Sequence, residues 1–192
     1  MKIPASNAQL DYLPNFLDVG RARSLFDTLM QEVPFKQDDI VLFGQHRKIP
    51  RLQAWYGDFP YQYSGLLMQP QPWSQALMTL KSDIENYCQC QFNSALINLY
   101  RDNQDSVAWH SDDEAELGRN PVIASLSLGA SRDFKLKHKF TDEKHTIPLV
   151  EGSLLVMAGE TQHYWQHAVL KSKKVAGPRI NLTFRQISEQ SI

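Results

Sequence analysis

The sequence predicts a mostly β (α+β) fold, a double-stranded β-helix or jelly roll with N-terminal helices packed on one sheet. Two patterns support this prediction. Two early segments repeat apolar residues at helical spacing, and almost everything after Phe92 consists of short β-branched or apolar runs separated by Gly, Pro, Asn and Asp. Helices followed by antiparallel-type strands are typical of a jelly roll, although the periodicity alone is compatible with another β-sandwich.

The two predicted helices each carry one apolar face. In segments 18–33 and 73–87, apolar residues recur three and four positions apart. Pro72, directly before the second segment, is tolerated in a first helical turn. We therefore expect both helices to bury one apolar stripe against a sheet.

The predicted strands are short and end at turn residues. Two extended pieces precede Phe92, at 40–43 and 52–56. The later strands are predicted at 95–100, 122–128, 134–139, 146–150, 153–157, 167–170 and 180–185.

Length, charge and cysteine content restrict the class of protein. The 192 residues suit a single domain spanning 1–192. Twenty Lys and Arg against 21 Asp and Glu leave a net charge of −1, so a polyanionic partner requires a local basic patch. Two cysteines, Cys88 and Cys90, exclude a disulfide framework and cannot by themselves complete a structural zinc site. Without a secretory h-region or an apolar run of ~20 residues, we expect an intracellular protein with no membrane association.

His110 and Asp112 form a His-x-Asp pair. On a strand, residues i and i+2 lie on the same face, so both side chains can bind one metal ion. A distal histidine, either His163 or His167, completes two histidines and a carboxylate, the set that leaves open positions on non-haem Fe(II). The alternative is a solvated surface turn, since such a pair also occurs by chance.

The C-terminal segment 179–185 alternates polar and apolar side chains. Arg179, Asn181, Thr183 and Arg185 share one face of the predicted strand. Two guanidinium groups and an amide suit a dicarboxylate, because guanidinium pairs with carboxylate in a bidentate manner. The alternative is a solvated strand face that carries basic residues.

Together these motifs resemble the AlkB family of Fe(II)/2-oxoglutarate dioxygenases. The resemblance extends from about residue 37 to residue 187 and includes the strand 96–100, the acidic run 112–114, the segment 123–134, and Arg179 with Arg185 six residues later. Within the family, the chain is most similar to the mammalian-type homologues that repair alkylated DNA, in particular the branch that acts on duplexes.

The resemblance implies a set of cofactors and contacts for them. Fe(II) would be held by His110, Asp112 and His167. Of the two distal histidines, His167 would be the ligand because Trp165-Gln166-His167 is similar to the Trp-x-His of the family. Arg179 would pair with the C5 carboxylate of 2-oxoglutarate, and Arg185 would lie near its C1 end and help to hold Asp112. O2 is the second co-substrate. The further co-substrate contacts implied are Asn98, Tyr100 and Asn181.

The resemblance also implies a nucleic-acid surface. Leu42, Phe43 and Gly44 are similar to a hydrophobic finger that enters a duplex where a base is extruded, although a phenylalanine at this place could instead belong to the core. The segment 61–65 is similar to a substrate lid, in which Tyr63 would stack on a cationic methylated base. At these two positions the duplex-acting branch carries Phe and Val, whereas this sequence has Tyr63 and Leu42. The difference concerns the preference for duplex or single-stranded DNA. The implied substrate-binding residues are Tyr61, Tyr63, Ser64, Arg51, Asp113 and Glu114, although Asp-Asp-Glu is also typical of a solvated acidic turn.

Two basic clusters are predicted to contact phosphates. The first comprises Arg132, Lys135, Lys137 and Lys139, and the second Lys171, Lys173 and Lys174. The alternative is that these lysines protect a sheet edge from aggregation.

The resemblance therefore implies oxidative demethylation of N-alkylated bases such as 1-methyladenine and 3-methylcytosine in duplex or single-stranded DNA. Decarboxylation of 2-oxoglutarate would be coupled to methyl hydroxylation and formaldehyde release. Residues 1–90 would carry the helices and the nucleotide-recognition lid, and residues 91–187 the catalytic core. We expect a monomer, cytoplasmic if bacterial and nuclear if eukaryotic.

Two alternatives to this function remain open. One is the same chemistry on RNA or on a non-nucleic-acid substrate. The other is a non-catalytic damage-binding module, which would not need all five metal and arginine positions.

Overall fold

Antiparallel strands and two long helices make up the computed structural model, which describes residues 1–42, 45–63, 66–174 and 177–188. The α-helices within these ranges are α1 (Val19–Glu32), α2 (Gln75–Cys88) and the short α3 (Thr161–Tyr164), and one 3-10 helix covers Ala115–Leu117. The strands are β1 (Lys2–Ile3), β2 (Gln9–Leu13), β3 (Asp39–Leu42), β4 (Gln45–Lys48), β5 (Leu52–Gly57), β6 (Tyr61–Tyr63), β7 (Leu66–Met68), β8 (Ser94–Tyr100), β9 (Val107–His110), β10 (Ile123–Gly129), β11 (Arg132–His138), β12 (Lys144–Leu149), β13 (Leu154–Ala158), β14 (Trp165–Val169) and β15 (Arg179–Arg185).

Two sheets of interleaved strands form the centre of the fold. The major sheet has the order β1-β2-β13-β10-β15-β8-β5, and the minor sheet has the order β12-β11-β14-β9. Two antiparallel strand pairs, β3-β4 and β6-β7, form separate two-stranded sheets. The chain therefore crosses repeatedly between two facing antiparallel sheets, which confirms the predicted jelly-roll class.

The two long helices pack on the outer face of the major sheet. Phe26 and Leu29 of α1, with Leu80 of α2, join a buried cluster that includes Leu126 of β10 and Leu182 of β15. Asp18 caps α1 by accepting a hydrogen bond from the Arg21 backbone N–H at 2.8 Å. The prediction that the helices cover one sheet is confirmed. No helix of the described ranges has the length and apolar character needed to cross a membrane.

The inner face of the major sheet meets the minor sheet around a second apolar cluster. Leu96 of β8 and Met157 of β13 lie opposite Phe134 and Leu136 of β11 and Val169 of β14. Polar side chains interrupt this interior at one end, where β8, β15, β9 and β14 come together. The fold therefore places a polar site between two sheets, away from the helices.

A glycine allows close approach of two strands beside that site. Gly129 ends β10 with φ +78, and a Cβ atom there would lie 2.6 Å from the Pro178 carbonyl oxygen. Because only glycine adopts this conformation without strain, β10 can turn directly against the first residue of β15, Arg179.

The predicted elements are present with ends displaced by at most two residues. The prediction omitted β1, β2, β4, β6, β7, β9 and α3. Most of these elements have only two to four residues, too few for alternation or helical spacing to repeat, so they leave no periodic signal. Three strands that precede residue 91, β1, β2 and β5, extend the major sheet.

Candidate active site

Three potential metal ligands converge between the two sheets. His110 ends β9, His167 lies opposite it on β14, and Asp112 follows the end of β9. One ligand atom from each side chain lies within 4.8 Å of the other two. Two histidines and a carboxylate at this spacing form the donor set of a non-haem Fe(II) site with open positions.

Asp112 reaches this cluster by a different route from the one predicted. Because β9 ends at His110, Asp112 is not on a strand, and the same-face argument was wrong. Its Oδ2 instead accepts a hydrogen bond from Arg185 Nη2 at 2.9 Å, and its backbone N–H donates to Gln162 Oε1 at 2.9 Å. Side chains from β15 and α3, not strand pairing, position this carboxylate.

The protonation states of the cluster suit a metal. Burial by itself raises the pKa of Asp112, but nearby positive charge, chiefly that of Arg185, together with the Arg185 hydrogen bond outweighs burial, and the pKa falls to about 2. Burial, followed by the charge of His110, lowers the pKa of His167 to about 3. The carboxylate is therefore anionic and the imidazole of His167 neutral at neutral pH, which are the forms that bind metal.

A backbone hydrogen bond sets the tautomer of His110. Its Nδ1 lies 2.8 Å from the carbonyl oxygen of Ala108, which can only accept, so Nδ1 carries the proton. Its Nε2 is left as the ligand atom. The other distal candidate, His163, lies outside the cluster, where its Nε2 contacts Asn120 Oδ1 at 3.1 Å.

A buried guanidinium group with unused donors lines the same cavity. Arg179 is 1% exposed, and its Nη2 donates to Ser127 Oγ at 2.9 Å. Its Nε and Nη1 are buried without a hydrogen-bond partner in the described part of the chain. Because a buried, unpaired cation is strongly unfavourable, these donors fit an anionic ligand such as a carboxylate.

The polar face of β15 is buried, which rules out the alternative of a solvated strand face. β15 lies between β10 and β8, and the exposed fractions of Arg179, Asn181, Thr183 and Arg185 are 8% or less. Asn181 Nδ2 donates to Ser125 Oγ at 2.8 Å, and Thr183 Oγ1 donates to Asn181 Oδ1 at 3.1 Å. The middle of this face is thus fixed by its own hydrogen bonds.

Strand β8 supplies a second wall. Asn98 and Tyr100 pair with Asn181 and Arg179 across the β8–β15 ladder. The Tyr100 ring centre lies 5.1 Å from the guanidinium carbon of Arg179. Arg51 Nε donates to Asn98 Oδ1 at 2.8 Å, and both residues line the cavity. Arg51 is therefore placed where it orients Asn98.

Tyr61 and Glu114 lie close to each other and to the ion pair of Asp112 and Arg185. Tyr61 stacks on Trp55 with ring centres 4.6 Å apart and lines the cavity. Glu114 Oε2 is buried without a partner among the described residues, and burial raises the pKa of this carboxyl. Asp113 is exposed and accepts a hydrogen bond from Lys139 Nζ at 3.3 Å. The solvated-turn interpretation fits Asp113 but not Glu114.

Part of the predicted nucleic-acid surface lies outside the described residues. This applies to Phe43 and Gly44 of the finger and to Ser64 of the lid. Leu42 ends β3 and Tyr63 ends β6, but their side chains are also outside the description.

The prediction that Arg132 contacts phosphate was wrong. The side chain is 5% exposed, and its guanidinium group donates to the carbonyl oxygens of Asp102, Asp105 and Leu170 at 2.8–2.9 Å. Arg132 shares the inner face of β11 with Phe134, because residues two apart on a strand point the same way. Its charge therefore stabilises loop 101–106 and the end of β14.

The lysines of the two clusters occupy different environments. Four of them line one surface cleft: Lys135, Lys171, Lys173 and Lys174. Lys137 Nζ lies 4.6 Å from the ring centre of Trp109, and Lys139 Nζ donates to the carbonyl oxygen of Gln162 at 2.9 Å. Of the lysines in the two clusters, these four share one cleft, which Asp133 also lines.

The sequence interpretation missed two residues that position the site. Ser127, the partner of Arg179, alternates with Leu126 and Leu128 on β10, so strand parity could have placed it inside. Gln162, which is 1% exposed and bonds Asp112, lies on a four-residue helix without a local signal.

Known proteins resemble the chain in sequence and in fold. The sequence pattern of the 2OG-Fe(II) oxygenase superfamily matches residues 9–185. The alpha-ketoglutarate-dependent dioxygenase alkB homolog 3 of Homo sapiens is 45% identical over 194 residues, which cover 96% of this chain and 68% of that protein. The DNA oxidative demethylase ALKBH2 of Homo sapiens is 38% identical over 181 residues, 88% of this chain and 69% of that protein. The solved structure of OsALKBH1 superimposes with a TM-score of 0.70 at 16% identity, covering 96% of this chain and all of the other, which shows a shared fold.

Proposed function

The chain belongs to the AlkB family of 2-oxoglutarate- and Fe(II)-dependent oxygenases, and on this premise we propose that it demethylates N-alkylated bases in DNA by oxidation. One observation carries the proposal: the His-Asp-His cluster and the unused donors of Arg179 line a single cavity. A metal and a carboxylate co-substrate can therefore bind side by side. The demethylase relative supports DNA as the substrate.

When bound, Fe(II) with 2-oxoglutarate and O2 supplies oxidation of an N-methyl group to hydroxymethyl, with succinate and CO2 as co-products. The hydroxymethyl group leaves as formaldehyde, and the unmethylated base remains. The protein contributes binding, orientation and charge placement.

In the proposed arrangement, separate groups of the protein bind the two ends of 2-oxoglutarate. His110, Asp112 and His167 hold the metal, and Arg179 binds the distal carboxylate through its unused Nε and Nη1 donors. Asn98 and Tyr100 line the space between them. Arg185 keeps Asp112 ionised and fixed through its 2.9 Å hydrogen bond.

The substrate side suits a cationic base. Methylation at N1 of adenine or N3 of cytosine gives the base a positive charge. Tyr61 offers an aromatic wall to this cation, and the buried Glu114 Oε2 offers an acceptor that has no partner among the described residues. We include Tyr63 and Ser64 in this surface from the sequence alone.

A substrate panel tests the proposal. Purified protein with Fe(II), 2-oxoglutarate and ascorbate is given one 1-methyladenine in single-stranded DNA, duplex DNA or RNA, alongside a methylated peptide. We expect formaldehyde from the nucleic acids, with DNA turned over faster than RNA, and none from the peptide. Turnover of the peptide alone would support a non-nucleic-acid substrate.

The finger is tested by Phe43→Ala. If Phe43 replaces the extruded base in the stack, the variant should lose about five- to a hundredfold in rate on a duplex lesion, since base–aromatic stacking contributes ~1–3 kcal/mol. The rate on the same lesion in single-stranded DNA should stay close to that of the parent.

A core role for Phe43 has a different consequence. Truncation would then reduce stability by ~3–5 kcal/mol and slow both reactions together. Measuring the thermal midpoint with both rates separates the two roles. A folded variant with an unchanged duplex-to-single-strand ratio would remove the finger from the proposal.

The basic cleft is tested by charge removal. We propose that Lys135, Lys171, Lys173 and Lys174 contact the DNA backbone, because they line one surface cleft. Changing Lys171, Lys173 and Lys174 to Gln should weaken DNA binding regardless of sequence. The slope of log K against log salt should become shallower by ~0.9 for each lost phosphate contact on duplex DNA. An unchanged slope would indicate lysines that only solvate the surface.

We also propose that the protein acts as a monomer, as expected from the sequence. A DNA substrate also implies the nucleus in a eukaryote or the cytoplasm in a bacterium.

A further inference from the structure

The loop that carries Asp112 is attached to the segment that leads into His167. Ser111 Oγ donates to the carbonyl oxygen of Trp165 at 2.8 Å, and the Asp112 backbone N–H donates to Gln162 Oε1 at 2.9 Å. Lys139 Nζ joins the two segments again by donating to the Gln162 carbonyl oxygen and to Asp113 Oδ2. Both halves of the metal cluster therefore share one set of polar contacts.

Gln162 is the buried member of this set. It is 1% exposed, and its Nε2 lies 3.7 Å from Met157 Sδ on the major sheet. Because the Asp112 backbone N–H can only donate, the side-chain oxygen of Gln162 must face Asp112 and the nitrogen must face Met157. Its neighbour Thr161 anchors α3 by donating to the Ala158 carbonyl oxygen at 2.6 Å. The amide of Gln162 is thus held on a fixed support.

Asp112 needs such a support because the sheet does not provide one. β9 ends at His110, so the backbone of Asp112 has no place in the β9–β14 ladder. Arg185 holds one carboxylate oxygen, but this contact leaves the backbone of the loop undetermined. Outer contacts that orient a metal ligand commonly change metal affinity when they are removed.

We propose that Gln162 is a positioning residue of the metal site, whose side-chain oxygen fixes the backbone of Asp112 so that the carboxylate faces His110 and His167 before a metal binds. The inference rests on the proposed function, since it takes the cluster to be a metal site. Lys139, predicted to contact phosphate, has its described contacts within this network.

The test is metal binding by Gln162→Met, which keeps the length of the side chain and removes the oxygen. Co(II) is titrated into metal-free protein without 2-oxoglutarate or DNA, and affinity and visible absorption spectrum are recorded. We expect a dissociation constant about 10- to 100-fold higher than that of the parent, with an altered d–d spectrum. The matched control is Gln31→Met, an exposed residue on α1, which should match the parent.

A purely structural role gives a different result. Gln162→Met would then lower the thermal midpoint of the metal-free protein while affinity and spectrum stayed parental, and this result would overturn the inference. If Gln162→Met does not fold, Gln162→Asn, whose shorter amide cannot reach Asp112 at the same distance, is titrated with the same expectation. Failure of the parent protein to bind Co(II) would instead contradict the proposed function.

Discussion

Replacement of Asp112 by alanine is expected to abolish 2-oxoglutarate turnover. The variant loses the one anionic ligand of the cluster and leaves the Arg185 guanidinium buried beside two histidines without its 2.9 Å partner. Removing one partner of a buried ion pair typically costs ~3–5 kcal/mol, so the thermal midpoint should fall as well. Succinate release and thermal unfolding are measured on the same preparation.

Two further variants separate lost chemistry from lost stability. Asp112→Asn keeps the size of the side chain and an acceptor for Arg185, so we expect a folded protein that binds Fe(II) weakly and releases little succinate. His163→Gln removes the histidine that lies outside the cluster and should retain parental turnover. If Asp112→Ala released succinate at the parental rate, the assignment of the three ligands would be wrong.

Replacement of Arg179 by methionine should weaken 2-oxoglutarate far more than DNA. A hydrogen bond to a charged group contributes ~1.5–3 kcal/mol, so the KM for 2-oxoglutarate should rise roughly ten- to a hundredfold. The dissociation constant for methylated DNA should change little, because Arg179 lies inside the cavity at 1% exposure.

The control for Arg179 is an arginine of similar chemistry elsewhere. Arg23→Met on the exposed face of α1 removes a side chain that is 63% exposed and should leave both constants unchanged. Equal losses for DNA and 2-oxoglutarate in Arg179→Met would make Arg179 a structural residue.

The helices and strands with a regular alternation of apolar and polar residues were predictable, because the apolar residues of each are the ones that the fold buries. On β15, Ile180, Leu182 and Phe184 face the helices, and the alternate residues face the cavity. Strand parity fixes this division whatever the partners are. The sequence could not reveal that β15 lies inside the sheet between β10 and β8, and this position buries its arginines.

Contacts between distant segments escaped prediction for a physical reason. The prediction placed Arg132 with the lysines near it in sequence because all of them are basic. On the strand, however, Arg132 lies on the same face as Phe134 and Leu136, and this face directs its side chain inward to three carbonyl oxygens. Gln162 acts on a residue 50 positions away, through a bond that no local pattern specifies. The assignment of ligand roles to His110, Asp112 and His167 remains a prediction, which the variants above test.

The most direct test of the central claim follows one methyl group. A DNA oligonucleotide with a single 1-methyladenine is incubated with the protein, Fe(II) and 2-oxoglutarate, and the oligonucleotide mass, formaldehyde and succinate are measured together. The account predicts loss of the methyl group with equal amounts of formaldehyde and succinate, and no loss when either Fe(II) or 2-oxoglutarate is omitted. Succinate release with the methylated base left intact, or demethylation that continues without 2-oxoglutarate, would contradict it.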